Sequence, residues 1–327
     1  MTCRFVTQCP FPDWHTHPDW LCLYLMNVLF FCPFPQNINT VINAYQVGGL
    51  RTLARLGAVG GGASQGLPAL AKKLEVQANA TEAALNSLCT DSVSGLYFDG
   101  YNSTSMAPLK HSAWHAQVFP AAFGLVPEKR WPKILAFLKR EGMIGSVYAA
   151  FWALKAAYGM DSDHGVVALQ LMTSCDTNSW CHMLSVGATA TMEAWSREEK
   201  PNLSWSHPWA SAPASAMVWG LFGITASSPA FRKFMFKPQP GNLSFASIEV
   251  PTMSGTIAAS LSQTSTSFAV TLAPPPNTFA TVCLPRLNLP DASLTVDGVA
   301  KLGRYLRDYV CIDGVGSAAK PRVIVRG

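Results

Sequence analysis

The chain has 327 residues, 24 Lys/Arg against 19 Asp/Glu, 49% hydrophobic residues and only 13% charged ones. This composition excludes a disordered, collagenous or coiled-coil chain and leaves enough apolar material for one large domain or two ordinary ones. The net charge of +5 comes from residues 201–327, which hold 10 Lys/Arg and 5 Asp/Glu; these form neither a dense stripe nor an Arg-rich helix, which argues against a nucleic-acid partner.

Residues 1–36 form an atypical N-terminal segment. Its apolar run, Leu21 to Phe34, has 14 residues, short of the roughly 20 a membrane helix needs. It also lies late for a signal peptide and lacks a basic leader, so no membrane span is expected. From Asn37 the pattern turns helical. Val41, Ala44, Tyr45, Leu50, Leu53 and Leu56 recur at steps of three and four and give one apolar face. Gly57 and the Gly60-Gly61-Gly62 run are expected to stop that helix. Further helices fit 67–88, 111–123, 128–140, 146–158, 164–173 and 210–222, joined by short connections into an array of αα-hairpins. Pro127 and Pro132 mark helix starts, and Asp161 and Asp163 read as an N-terminal cap. Near Ser227 the period changes. Segments 231–237, 244–250, 255–261, 267–272 and 279–284 are short, rich in Phe, Val, Ile and Thr, and separated by Pro/Gly/Asn turns, which indicates an antiparallel β-sandwich. The expected organisation is therefore a helical domain over 37–226 and a β-sandwich over 227–327.

Nine cysteines are present, with no Cys-x-x-Cys pair, which argues against a zinc knuckle or a thioredoxin-like site. Cys175 and Cys181 read equally as a small disulfide loop or as two buried apolar side chains. The sequons at Asn79, Asn102, Asn202 and Asn242 lean toward a secreted protein. His111 and His115 have zinc-binding spacing, but Ser-Ala-Trp separates them and no metalloprotease Glu lies there; packing or sugar contact is the expected role, and no metal or cofactor is expected.

The densest group of unusual residues lies between Ser179 and Trp209. It contains Trp180, Trp195, Trp205 and Trp209, His182 and His207, and the carboxylate Glu193 set among small neutral residues. Trp faces are platforms for the C–H faces of sugars, and a carboxylate beside them can activate water for glycoside hydrolysis. The plain alternative is that the Trp residues are hairpin core and Glu193 pairs or caps.

Several segments together resemble the second half of the catalytic domain of α-L-rhamnosidases, glycoside hydrolase family 78. They are Asn39-Thr-Val-Ile-Asn-Ala-Tyr, His111-Ser-Ala-Trp-His-Ala-Gln-Val-Phe-Pro, Gly142-Met-Ile-Gly-Ser-Val-Tyr, Gly187-Ala-Thr-Ala-Thr-Met-Glu-Ala-Trp and Ser206-His-Pro-Trp-Ala-Ser. The resemblance continues into the family's C-terminal β-domain through Phe222-Gly-Ile, Pro238-Gln-Pro-Gly and Pro251-Thr-Met-Ser-Gly-Thr-Ile, and covers roughly 37–290. It implies an (α/α)6 six-hairpin toroid, here incomplete, followed by a β-sandwich. It also implies inverting hydrolysis of terminal α-L-rhamnosyl residues on a small molecule or an oligosaccharide. In that mechanism one carboxyl protonates the glycosidic oxygen while a second activates water, the two being about 6.5–9.5 Å apart. By the same resemblance Glu193 is the general base, His207 lines the sugar pocket, and Trp195, Trp209, Trp180 and Trp14 are candidate wall residues.

The sequence departs from the family in two places. About eight helices precede the strands, where six hairpins need twelve, and the general-acid segment has no counterpart upstream of Asn39. Asp13, Asp19 and Asp99 are the carboxylates nearest to a substitute. A rhamnosidase with impaired turnover, a non-catalytic glycan-binding remnant and a plain scaffold are therefore all open. A buried Glu193 ion-paired to Arg or Lys would mark the scaffold.

Overall fold

The computed structural model describes residues 37–59, 67–287 and 293–327. Two compact units emerge. Among the described residues, one contains those from 37 up to Met160 together with 175–210, and the other contains 161–174 together with those from 211 onward. Trp14, Asp13, Asp19, the apolar run 21–34 and the triple glycine at 60–62 lie outside the described residues.

The first unit begins with a short strand, β1 (Asn37–Asn39), that runs into helix α1 (Thr40–Val59). Asn39 makes the turn: its Oδ1 accepts from the Ile42 amide at 3.0 Å, which satisfies one of the free N–H groups of the first turn. The helix continues through Gly57, which does not stop it. Val41, Ala44, Val47 and Ala54 form its buried line. Leu53 and Leu56, expected on that face, lie off the line and are exposed. Helix α2 (Leu67–Leu88) packs back on α1 and buries Ala78, Thr81 and Leu85, at steps of three and four. Arg51 of α1 pairs with Glu82 of α2.

Strands β2 (Gly100–Asn102) and β3 (Ala107–Leu109) complete a small antiparallel sheet with β1. Three further helices follow: α3 (Trp114–Ala122), α4 (Trp131–Glu141) and α5 (Ala149–Gly159). A buried Arg130 ties them to the preceding loops. Its Nε donates to the Gly95 carbonyl, its Nη1 reaches Asn86 and Thr90, and its guanidinium lies 4.0 Å from the Tyr97 ring centroid.

The second unit takes helix α6 (Val166–Thr173) into its body. Asp163 accepts from the Gly165 and Val167 amides and so caps this helix as expected. Asp161 does not cap. It is buried and ion-paired to Lys237 and Arg307. His164 Nδ1 lies 3.0 Å from the Tyr309 hydroxyl. These contacts explain why residues 161–174 cluster with the strands and not with the neighbouring helices of the sequence.

The expected helix over 210–222 is two pieces, α8 (Ala212–Ala216) and a π-turn over Met217–Leu221, and the helical run ends before Gly223. Gly223 has φ +62°, and a Cβ there would sit 1.9 Å from the Lys237 carbonyl oxygen. Eleven strands follow: β4 (Ile224–Ala226), β5 (Lys233–Phe236), β6 (Phe245–Thr252), β7 (Gly255–Gln263), β8 (Phe268–Ala273), β9 (Phe279–Pro285), β10 (Ser293–Val296), β11 (Val299–Leu302), β12 (Arg304–Leu306), β13 (Tyr309–Gly316) and β14 (Arg322–Arg326). They form a six-stranded sheet, β11-β10-β14-β8-β7-β6, and a five-stranded sheet, β12-β13-β9-β5-β4. Every pairing is antiparallel except β5 with β9. Alternate residues such as Phe234, Phe236, Phe268, Val270 and Leu272 fill the interior, the period-two burial of a sandwich. The tail beyond Ala300 belongs to this unit as strands. Cys283 and Cys311 face each other in the β9/β13 register and form a disulfide that spacing alone had not suggested. No described helix is long and apolar enough to cross a membrane.

Candidate active site

The Ser179–Trp209 segment belongs to the first unit and is held in place from both ends. Helix α7 (Trp180–Ser185) starts at Ser179, whose Oγ accepts from the His182 amide at 3.0 Å. Of the two readings of Cys175 and Cys181, the disulfide is the one formed, and it closes the chain immediately before and inside α7. At the other end the Trp180 Nε1 donates to the Ala210 carbonyl at 2.6 Å.

Trp195 lies beneath the segment with no exposed surface. Its Nε1 donates to the Gly145 carbonyl at 2.7 Å, and its ring meets Trp180 edge-on at 5.2 Å. Gly145 is required at that spot, since a Cβ would lie 2.5 Å from the Trp114 ring. Trp195 therefore supports the site from below and cannot form the wall expected of it, because none of its face reaches solvent. Trp209 remains half-exposed, packed edge-on against His207 at 4.6 Å and against Tyr148 at 6.0 Å. Trp180 is also half-exposed.

Two crossing backbone pairings bring Glu193 and His207 into one neighbourhood. The Glu193 amide donates to the Ser204 carbonyl at 3.0 Å, and the His207 amide donates to Thr191 at 2.7 Å. The Thr191 hydroxyl returns a bond to the His207 carbonyl. Between them, residues 194–203 form a loop whose Leu203 is buried. That loop aims two donors at the Glu193 carboxylate. Lys200 Nζ lies 2.5 Å from Oε1, and the Ser204 amide lies 2.9 Å from Oε2. The Lys200 contact, with smaller help from the Ser204 amide and His207, holds the Glu193 carboxyl below the usual range against the opposing effect of burial. Its side chain keeps 14% exposure. Glu199, whose Oε2 accepts from the Trp195 amide, is raised instead, by burial.

His207 contributes a feature that its sequence position did not reveal: its Nε2 is buried and has no hydrogen-bond partner among the described residues. A buried ring nitrogen without a partner is costly unless something occupies the space beside it. His115 Nε2 on α3 is in the same condition, with its ring against Trp114 and Phe119; burial pushes its imidazole below the ordinary value. Asp99, offered as a substitute acid, is committed elsewhere. Its Oδ1 accepts from the Ala113 amide at the start of α3, and its Oδ2 lies 2.5 Å from His111 Nδ1. Among the described residues no group of three or more His, Cys, Asp or Glu is placed to hold a metal ion.

Paired helices followed by a two-sheet β unit are the arrangement of a six-hairpin helical domain with a C-terminal β domain. Comparison with known proteins makes the assignment specific. Residues 15–219 match the bacterial α-L-rhamnosidase 6 hairpin glycosidase domain, and residues 223–295 match the bacterial α-L-rhamnosidase C-terminal domain. The chain belongs to the bacterial α-L-rhamnosidase family.

Three solved structures share its fold. The Streptomyces avermitilis α-L-rhamnosidase complexed with L-rhamnose has 18% identity and a TM-score of 0.66, covering 88% of this chain and 27% of that one. The Dictyoglumus thermophilum α-L-rhamnosidase has 19% identity and a TM-score of 0.67, covering 86% and 31%. The native Aspergillus terreus enzyme has 16% identity and a TM-score of 0.64, covering 86% and 30%. The chain thus spans less than a third of each of these proteins. No curated protein matches it in sequence.

Proposed function

We propose that this chain is an α-L-rhamnosidase-type glycoside hydrolase component in which Glu193 is the general base of an inverting reaction. In this reading 37–226 is the glycosidase-like part and 227–327 the β-sandwich. The observation that carries it is the contact geometry of the Glu193 carboxylate, whose charged form Lys200 and the Ser204 amide favour beside a His207 with an unsatisfied ring nitrogen. A general base must be ionised before it can take a proton from water. Each carboxylate oxygen has room for a second hydrogen bond, so Lys200 on Oε1 and Ser204 on Oε2 leave acceptor capacity for that water. His207 Nε2 and the half-exposed Trp209 and Trp180 fit the hydroxyls and the C–H face of a terminal rhamnosyl unit, and the structural relative solved with L-rhamnose makes that sugar the first ligand to try.

The chain as given is expected to turn over slowly. The family's general acid belongs to a segment upstream of Asn39 that finds no counterpart in this sequence, and protonation of the leaving oxygen contributes about 10²–10⁴-fold in such reactions. The second reading, a rhamnoside-binding module without turnover, is favoured by Lys200: a carboxylate stabilised by an ammonium is a weaker base than a free one. Hydrolysis of an aryl α-L-rhamnoside and calorimetric binding of L-rhamnose separate these. The proposal expects rhamnose binding that Glu193→Gln weakens, together with slow or undetectable hydrolysis. Hydrolysis at a normal enzymatic rate that is lost in Glu193→Gln would overturn the impairment. Absence of binding to both ligands would overturn the site.

A further inference from the structure

The β unit carries a cleft of about 540 Å³, within the roughly 300–1,000 Å³ of small-molecule sites. It opens where β11 and β12, the outermost strands of the two sheets, join through Gly303. Lys301, Arg304 and Arg322 line it against one carboxylate, Asp313, with Val296 and Leu302 as apolar lining. Its floor is rigid, because Cys311 is tied to Cys283 across the β9/β13 pair. A β-bulge between Ile312 and Val315, with Gly314 at φ +75°, turns Asp313 outward, where it receives the Thr281 hydroxyl and Arg304.

The ordinary explanation for such charges is protection of exposed sheet edges against pairing with another chain. It accounts for Lys301 and Arg304, which lie on edge strands. It does not account for Arg322, which lines the same cleft half-buried on β14, an interior strand between β10 and β8, and which Asp297 engages at Nε. Arg322 pairs with Asp297 at 2.8 Å, while Lys301 is exposed and pairs with no described carboxylate. Three cations converging from three strands match an anionic ligand, and guanidinium groups favour planar carboxylates. Leu302, at 85% exposure, adds apolar surface beside the cations, of the kind that the C–H faces of a sugar cover.

We propose that this cleft binds an acidic saccharide, a uronate-bearing glycan chain, through Lys301, Arg304 and Arg322. The site is independent of Glu193 and of turnover.

The test is affinity electrophoresis of the full chain at low ionic strength, where surface charges are least screened, in gels containing polygalacturonate or neutral dextran. Retardation by polygalacturonate and not by dextran is expected, with Lys301→Glu and Arg322→Gln each weakening it about tenfold, the scale of one lost charge-assisted contact. Lys139→Glu, an equal charge change on an exposed position of the helical unit, should leave it unchanged. Equal weakening by Lys139→Glu, equal retardation by dextran, or displacement by DNA of matched charge would each overturn the proposal. If Arg322→Gln lowers the melting temperature, the exposed Lys301→Glu variant decides alone.

Discussion

Replacing Lys200 with Met removes the ammonium 2.5 Å from Glu193 Oε1 and keeps most of the aliphatic stem. Exposed ion pairs contribute about 0–1 kcal/mol, and removing one partner of a fully buried pair costs about 3–5 kcal/mol. This pair lies between those limits, with Glu193 at 14% exposure and Lys200 at 31%. The Ser204 amide still holds Oε2. A loss of about 1–2 kcal/mol is expected. The folded-state pKa of Glu193 is depressed, so its contribution to stability is fully present above the unfolded value and is lost as pH falls through the lower folded value. In Lys200→Met the folded pKa moves back up, and that part of the pH dependence shrinks. Urea melts of the wild type, Lys200→Met, Glu193→Gln and the double variant form a cycle that isolates the pair. A coupling near 1 kcal/mol at neutral pH that vanishes in acid is expected. Coupling below about 0.3 kcal/mol at neutral pH, within the error of additive sites, would refute the view that Lys200 holds the carboxylate ionised.

Other outcomes follow from the packing around this segment. Opening the Cys175–Cys181 loop with a double Ser substitution should cost about 2 kcal/mol of stability by denaturant titration, the loop-closure entropy of a short ring. Gly145→Ala places a methyl group 2.5 Å from the Trp114 ring; a cost of about 1–3 kcal/mol should come with a shift in tryptophan emission as the carbonyl under Trp195 moves. Tyr309→Phe leaves His164 without its hydroxyl partner in a buried setting, and a loss of about 1–2 kcal/mol is expected from thermal melts. Trp209→Ala should weaken L-rhamnose binding in calorimetry while leaving the fold intact, whereas Trp195→Ala should lower stability by about 3–5 kcal/mol.

Much of this molecule was legible from periodicity. Helix α2 runs from Leu67 to Leu88 as its spacing indicates, and the change to period two near Ser227 announces the strands. Boundaries failed where side chains or backbone, not apolar spacing, decided them. Gly57 sits inside α1, since one glycine costs only about 1 kcal/mol against a packed helix face. Asp161 looked like a cap next to Asp163, yet two distant cations, Lys237 and Arg307, claim it. The Cys283–Cys311 bond was hidden because its partners are 28 residues apart and meet only through the β9/β13 register. Trp195 reads as a wall residue in sequence because tryptophan clusters mark sugar sites, and nothing in its sequence neighbours reports the Gly145 carbonyl that receives its Nε1.

Glu193 is the instructive case. A Glu193 both buried and ion-paired to Lys or Arg is the mark of a scaffold; the ion pair is there, and the side chain keeps 14% exposure. Pairing and burial are separate properties, and that mark requires both. A structural carboxylate is paired and closed to solvent, as at Asp161, which is 4% exposed and has one cation on each oxygen. Glu193 has one cation, one amide and open surface. The two carboxylates both carry one donor on each oxygen, and they differ in exposure, 14% at Glu193 against 4% at Asp161. The proposed role of Glu193 as a base therefore rests on the accessible part of its carboxylate, together with a His207 whose ring nitrogen lacks a partner among the described residues.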